Sequence, residues 1–356
     1  MKLSNFPYLI QKEILDHLSI HNLFFFSLCS KNTKNFIKET QKQQLRKVER
    51  IDYTINKKVH WISAKISNNH HVFASLMSFY DNATAFRRHE RCDSSEEVRV
   101  DELGIPIDFF RCPANLRTLE AKYDSGNLES IMEAIHNHLY DLLRHHTKYR
   151  LLSESRNTRH LPKLHNLHKM LIESHGFEST RIGDVLSESP DLEHFSWTAT
   201  CKDEVELRAK TIMTDFLEYF NGRHAFLRGH ITTSEVVELL NAWRLGEKFG
   251  NLECLRISTF EWDYVRRVNA FRIPEICNSA EIKKVNTEVE YPAIKELRCS
   301  TTYYVHTLKS RSYIVRESDD RVASVMLMNS TVFMAVWNMT ETEFLKKFRL
   351  YEIGEQ

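Results

Sequence analysis

Between Phe6 and Lys38 apolar side chains return at helical spacing in three short blocks, which cannot bury so much apolar surface among themselves. The run reads FPYLIQKEILDHLSIHNLFFFSLCSKNTKNFIK. Phe6-Pro7 opens it, at a helix start where the missing proline N–H costs nothing. Ile10, Ile14, Leu15 and Leu18 recur along the first block, while Lys12, Glu13 and Asp16 fall elsewhere on the wheel. Ser19 to Asn22 is a polar break, and Asn22 is the predicted N-cap for Leu23–Cys29, a block that includes Phe26. A third helix carries Phe36 and Ile37. Some of this surface must therefore meet the rest of the chain or a foreign partner.

The remainder is long enough for a large core and two domains, at 356 residues in all. A net charge of +1 gives no global reason to expect nucleic acid or an anionic membrane as partner. No apolar run is long enough to span a bilayer, and the start lacks the charged-then-apolar pattern of a signal peptide. Seven cysteines (Cys29, Cys92, Cys112, Cys201, Cys254, Cys277, Cys299) stand singly, as expected of reduced thiols in cytoplasm or nucleus. Only nine glycines occur, and phosphate-cradling loops, nucleophile elbows and dinucleotide turns all consume glycine.

Lys38 to Arg50 reads as a basic helical stretch with no interleaved aromatics, hence a solvated linking helix. Strands are predicted at Val48–Thr54, Val59–Ile66 and Val72–Phe79, with a turn at Asn68-Asn69, and Arg87–Asp101 reads as a charged loop. Further on, one strand template recurs: Asn115–Ala121, Asp191–Trp197, Asn251–Ile257 and Ala293–Cys299. Its apolar-x-x-apolar-x-apolar core matches the strand of a leucine-rich repeat, although the intervals are uneven. Helices are predicted between these strands at Asn127–Arg144, Pro162–Ser174, Asp203–Phe220 and Thr233–Leu245, which argues for parallel pairing through crossovers. Arg311–Arg316, Arg321–Met328 and Thr331–Trp337 read as antiparallel strands, and Glu341–Leu350 as a terminal helix.

The N-terminal run resembles an F-box. The matching residues are Phe6-Pro7 for the family's opening Leu-Pro, Glu13-Ile14-Leu15 and Leu18 in the first helix, and Leu23, Phe26, Leu28 and Cys29 in the second. Ser30–Thr33 stands at the exit, before Phe36-Ile37, and the tryptophan of many F-box third helices is missing. Two later pieces are similar to the nematode F-box-associated domain of the second type. One is Thr233–Trp243 running through Gly246 and Phe249-Gly250 into Asn251–Ile257; the other is Tyr313–Arg316, the turn Ser318–Asp320 and the strand ending at Val336-Trp337.

What the resemblance implies is the substrate-recognition subunit of a Skp–cullin–F-box ubiquitin ligase. Phe6, Pro7, Ile10, Ile14, Leu15, Leu18, Leu23 and Phe26 would touch a Skp-type adaptor linked to a cullin. The expected fold is mixed α+β and α/β: a small three-helix F-box over residues 1–45, then an irregular leucine-rich-repeat-like α/β domain over 46–356 ending in an antiparallel β-hairpin. The latter would bind an unknown target protein. No nucleic acid, membrane, cofactor or metal is expected.

Catalytic signatures are missing: no GxSxG, Walker A, GxGxxG or HExxH occurs. Among eighteen histidines, His165 and His168 stand at i and i+3 on an expected helix, where exposed imidazoles are favoured over a zinc site. Trp243 and Trp337 read as core anchors. Two alternatives stay open beside the ligase subunit: a scaffold or regulatory interaction protein outside any ligase, and a histidine-based metal enzyme.

Overall fold

A computed structural model describes residues 5–56, 59–67, 73–81, 108–111, 119–123, 127–143, 146–154, 161–174, 182–199, 216–229, 231–259, 271–292 and 308–350. The chain divides into two compact units, Met1–Phe177 and Glu178–Gln356.

The first unit opens with four short helices: α1 (Tyr8–Asp16), α2 (Ile20–Cys29), α3 (Lys31–Thr40) and α4 (Lys42–Leu45). Strands β1 (Val48–Asn56), β2 (Val59–Ile66), β3 (Phe73–Asp81), β4 (Asp108–Arg111) and β5 (Leu119–Tyr123) follow. Then come α5 (Leu128–Leu143), β6 (Lys148–Glu154) and β7 (Lys169–Ser174). The strands lie in the order β7-β6-β1-β2-β3-β5-β4, parallel from β7 to β1 and antiparallel through β1, β2 and β3. Strict alternation sends Ile51, Tyr53 and Ile55 of β1 into the core, with Tyr149 and Leu151 of β6 on the same face. Helix α5 buries Ile131, Met132, Ile135, Leu139, Leu142 and Leu143 at helical spacing. Residues 5–45 fall within the first unit.

Three expectations are corrected here. Pro162–Ser174 is not a helix: residues 161–168 are irregular and β7 begins at Lys169. Leu161, Leu164 and Leu167, all fully buried, imitate a helical period, but Asn166 turns back with φ +54° and the chain then alternates as a strand. His165 and His168 therefore share no helix face. The stretch from Lys38 to Arg50 is not one linking helix either, because α3 ends at Thr40, α4 is one turn long and β1 starts at Val48. The N-cap of α2 is Ser19, whose hydroxyl accepts from the Asn22 N–H at 3.3 Å, so the helix begins at Ile20.

In the second unit the order along the chain is α6 (Ile182–Ser187), β8 (His194–Ala199), β9 (His224–Gly229), α7 (Thr233–Arg244), β10 (Cys254–Thr259) and α8 (Ile273–Ser279). After these come β11 (Lys283–Tyr291), β12 (Leu308–Val315), β13 (Arg321–Met328), β14 (Thr331–Thr340) and α9 (Glu341–Phe348). Strands β8, β9 and β10 are parallel; β14 joins β10 antiparallel, and β13, β12 and β11 continue in antiparallel sequence.

His194, His224 and Cys254 are register partners, thirty residues apart at each step. The middle rung, Asn221–Leu227, escapes the sequence template because Gly222 holds the place of Leu192 and Leu252. A Cβ there would lie 2.1 Å from the Leu192 carbonyl oxygen and 2.7 Å from the Phe220 ring. Phe220 fills the missing leucine's space, within an aromatic cluster of Phe195, Phe216 and Phe249. The template segment Ala293–Cys299, the start of Asn115–Ala121, most of the helix expected at Asp203–Phe220, the Asn68-Asn69 turn and the Arg87–Asp101 loop lie outside the described residues.

Candidate docking site

Helix α1 starts on Pro7, and the Gln11 side chain reaches back to donate to the Phe6 carbonyl at 2.6 Å. One residue of the helix, Leu15, is sealed in the core. Its C-terminal end is tied down by α4 and the residue before it: Gln41 Nε2 donates to the Asp16 carboxylate at 2.6 Å, and Gln44 Nε2 to the Asp16 carbonyl at 2.9 Å. Everything else apolar on α1 points outward. Leu9 is 75% exposed and Ile10 47%, and Tyr8 and Ile14 are exposed as well. Ile10 and Ile14 lie one turn apart on one side, and Tyr8 meets Phe36 of α3 edge-on at 5.6 Å.

Helix α2 does the opposite. Leu23, Phe24, Ser27 and Leu28 are buried, and Phe25 and Phe26 are half-buried. Its polar contacts bind it to the unit. Ser27 Oγ donates to the Phe24 carbonyl at 2.6 Å and lies 2.7 Å from His138 Nε2 on α5. With the serine proton already used, the imidazole N–H is the donor to Ser27. A neutral ring suits that role, and burial, followed by the nearby Lys34 charge, lowers the His138 pKa to about 4. Helix α3 adds Lys38 and Lys34 on the Asp141 carboxylate at 2.5 and 3.2 Å. His21 Nδ1 lies 2.9 Å from the Ser75 carbonyl on β3.

The other face of α5 holds a second buried imidazole. His136 Nε2 donates to the His165 carbonyl at 2.8 Å, so Nδ1 accepts from the Tyr53 hydroxyl at 3.0 Å. Burial, with help from His165, lowers its pKa to about 3. The histidines of α5 are thus structural mortar between the helices and the sheet. Among the described residues, no group of three or more His, Cys, Asp or Glu is arranged to hold a metal.

The eight residues expected to meet an adaptor separate accordingly. Pro7, Ile10 and Ile14 are exposed; Phe6, Leu18 and Phe26 are half-buried. Leu15 and Leu23 are fully buried inside the first unit. Tyr8 and Leu9, outside that set of eight, are exposed on the same helix.

Comparison with known families settles what this module is. Residues 3–42 match the F-box domain. No characterised protein and no solved structure matches the chain. The F-box match spans α1 to the start of α4, so the open α1 surface lies on a domain whose role is to bring proteins together. No helix among the described residues is long and apolar enough to cross a membrane.

In the second unit, the two pieces set apart in the sequence meet. The Arg316 guanidinium lies 5.2 Å from the centre of the Trp243 ring, grips both oxygens of Asp319 at 2.8 and 2.6 Å, and donates to the Gly250 carbonyl at 3.2 Å. That grip holds the Asp319 pKa below the usual carboxylate range. Gly246, at φ +73°, closes the helix-ending turn against Ser318, where a Cβ would come within 2.4 Å of the serine hydroxyl. Trp243 and Trp337 are both buried; the latter donates to Ser324 Oγ at 2.8 Å and packs on Tyr291, Phe344 and Phe348.

Proposed function

We propose that this chain is the substrate-recognition subunit of a ubiquitin ligase of the Skp–cullin–F-box type. The observation that carries the reading is the open apolar surface of Tyr8, Leu9, Ile10 and Ile14 on a matched F-box domain. Covering it with a Skp-type adaptor offers about 1.5–3 kcal/mol for each aliphatic side chain fully buried, before the cost of association is subtracted. The adaptor would link the chain to a cullin, and the residues beyond 45 would hold a target protein. Such a receptor needs no catalytic side chain. It acts by keeping target lysines at high effective concentration near a charged ubiquitin carrier.

We read the second unit as an F-box-associated domain of the second type with leucine-rich-repeat-like rungs. Supporting this are the meeting of Trp243 with Arg316 and the thirty-residue spacing of β8, β9 and β10. The place of action is the cytoplasm, the nucleus or both. A second reading, a scaffold outside any ligase, draws on the sealing of Leu15 and Leu23 inside the first unit. Affinity purification of the tagged full-length chain with mass spectrometry separates the two. The ligase reading expects adaptor and cullin in the eluate; a chain that brings down other partners and neither of these is a scaffold.

A further inference from the structure

Helix α4 carries unpaired positive charge beside the docking helix. Its inward side is occupied: Leu45 is buried, and Gln41, just before the helix, and Gln44 both donate to Asp16 at the end of α1. Its outward side presents Lys42 and Arg46, one turn apart, the Arg46 N–H donating to the Lys42 carbonyl at 3.0 Å. Lys47 follows, and all three side chains are exposed. Like charges at i and i+4 oppose helix formation, so the fold gains nothing from this pair.

Lys12 continues the row on α1. Leu9, Lys12 and Asp16 stand at i, i+3 and i+7, on one side of the helix, and that is the side α4 grips. Lys12, like Leu9, is exposed. Among the described residues no carboxylate pairs with Lys12, Lys42, Arg46 or Lys47. The acids around them are engaged elsewhere or stand apart. Glu13 lies 3.2 Å from His17, Glu49 lies 2.9 Å from Lys65, Asp16 accepts from Gln41, and Glu39 is exposed on α3. Lys34 and Lys38 of α3 differ: both are half-buried and both are held by Asp141.

We infer that Lys12, Lys42, Arg46 and Lys47 form a basic rim to the docking surface, and that the adaptor seated on α1 carries carboxylates where it meets them. This rests on the reading of α1 as the adaptor-docking helix. Leu9 and Asp16 are about 10 Å apart along α1, well inside the roughly 800 Å² that a standard interface covers on each partner. A protein laid over Leu9 and Ile10 therefore reaches α4. Charge complementarity at such a rim steers the encounter and makes its rate salt-dependent, while the apolar centre holds the complex together. No aromatic residue stands between Lys42 and Lys47, so successive bases have nothing to stack on, which favours an acidic protein surface over single-stranded nucleic acid.

Surface plasmon resonance of the full chain with a Skp-type adaptor across a salt series tests this, with a duplex oligonucleotide as a second probe. Association should slow as salt rises. Reversing charge with Lys42→Glu and Arg46→Glu together should slow association about tenfold at low salt, with a smaller change in dissociation and a gap that closes at high salt. Both side chains are exposed, so the melting temperature should hold. Should it fall, Lys42→Gln with Arg46→Gln replaces the pair, with a smaller slowing expected. Adaptor binding with equal association rates in parent and variant overturns the inference and leaves the docking reading standing. An adaptor that binds neither chain overturns both. Tighter binding of the oligonucleotide than of the adaptor, lost in the variant, also overturns it and assigns the row to nucleic acid.

Discussion

Helices α1 and α2 are neighbours of nearly equal length in one F-box domain, yet they spend their apolar residues in opposite ways. Helix α2 sends Leu23, Phe24 and Leu28 inward and fastens itself through Ser27 to His138. Helix α1 commits only Leu15 to the interior and leaves Tyr8, Leu9, Ile10 and Ile14 in solvent. The difference lies in polar anchoring. The side-chain hydrogen bonds of α1 to neighbouring helices gather at Asp16, its C-terminal end, while at its N-terminal end only the Tyr8 ring edge meets Phe36. Apolar content alone does not say which surface a helix meets.

The largest effect that would sharpen this contrast is Leu23→Ala. Emptying a fully buried leucine site should cost about 2–5 kcal/mol, read as a lower denaturation midpoint of the first unit. Acidification comes next. Below the ordinary histidine pKa of 6.5, the unfolded chain takes up protons that His138 and His136 refuse until about 4 and about 3. Stability from these groups is therefore present above pH 6.5 and lost as pH falls through that window, by up to about 3 kcal/mol for His138. Protection factors in α2 and α5, taken relative to the intrinsic exchange rate at each pH, should fall from pH 6.5 to 4; unchanged protection would mean these rings are not buried neutral.

In the second unit, Gly222→Ala places a methyl against the Leu192 carbonyl and should cost about 1–3 kcal/mol, visible as a lower melting temperature. The smallest effect on stability belongs to Leu9→Asp, within about 0.5 kcal/mol, because the side chain is already in water. If Leu9→Asp melts like Leu23→Ala, the two helices do not differ as described.

Much of the fold was legible where local chemistry and burial agree. The strand at Val59–Ile66 is found as read, and the helix from Thr233 starts on a capping box between Thr232 and Glu235. Legibility failed where one element imitates another. Leu161, Leu164 and Leu167 copy a helical period in an irregular segment, and Gly222 hides a rung whose neighbours on either side fit the template. In the first two helices, helical spacing marks exposed Ile10 and Ile14 and buried Leu15 and Leu23 alike. Spacing reports that a side chain is apolar and on a helix, while the direction it faces is set by contacts more than a hundred residues away, such as Ser27 with His138.

Calorimetric titration of a Skp-type adaptor into the full chain and into the Leu9→Asp, Ile10→Asp double variant tests the account most directly. Two desolvated apolar contacts replaced by charge should weaken binding at least about a hundredfold, while the variant melts as the parent does. Undiminished binding by a folded variant would contradict it, and would place the adaptor on some other surface.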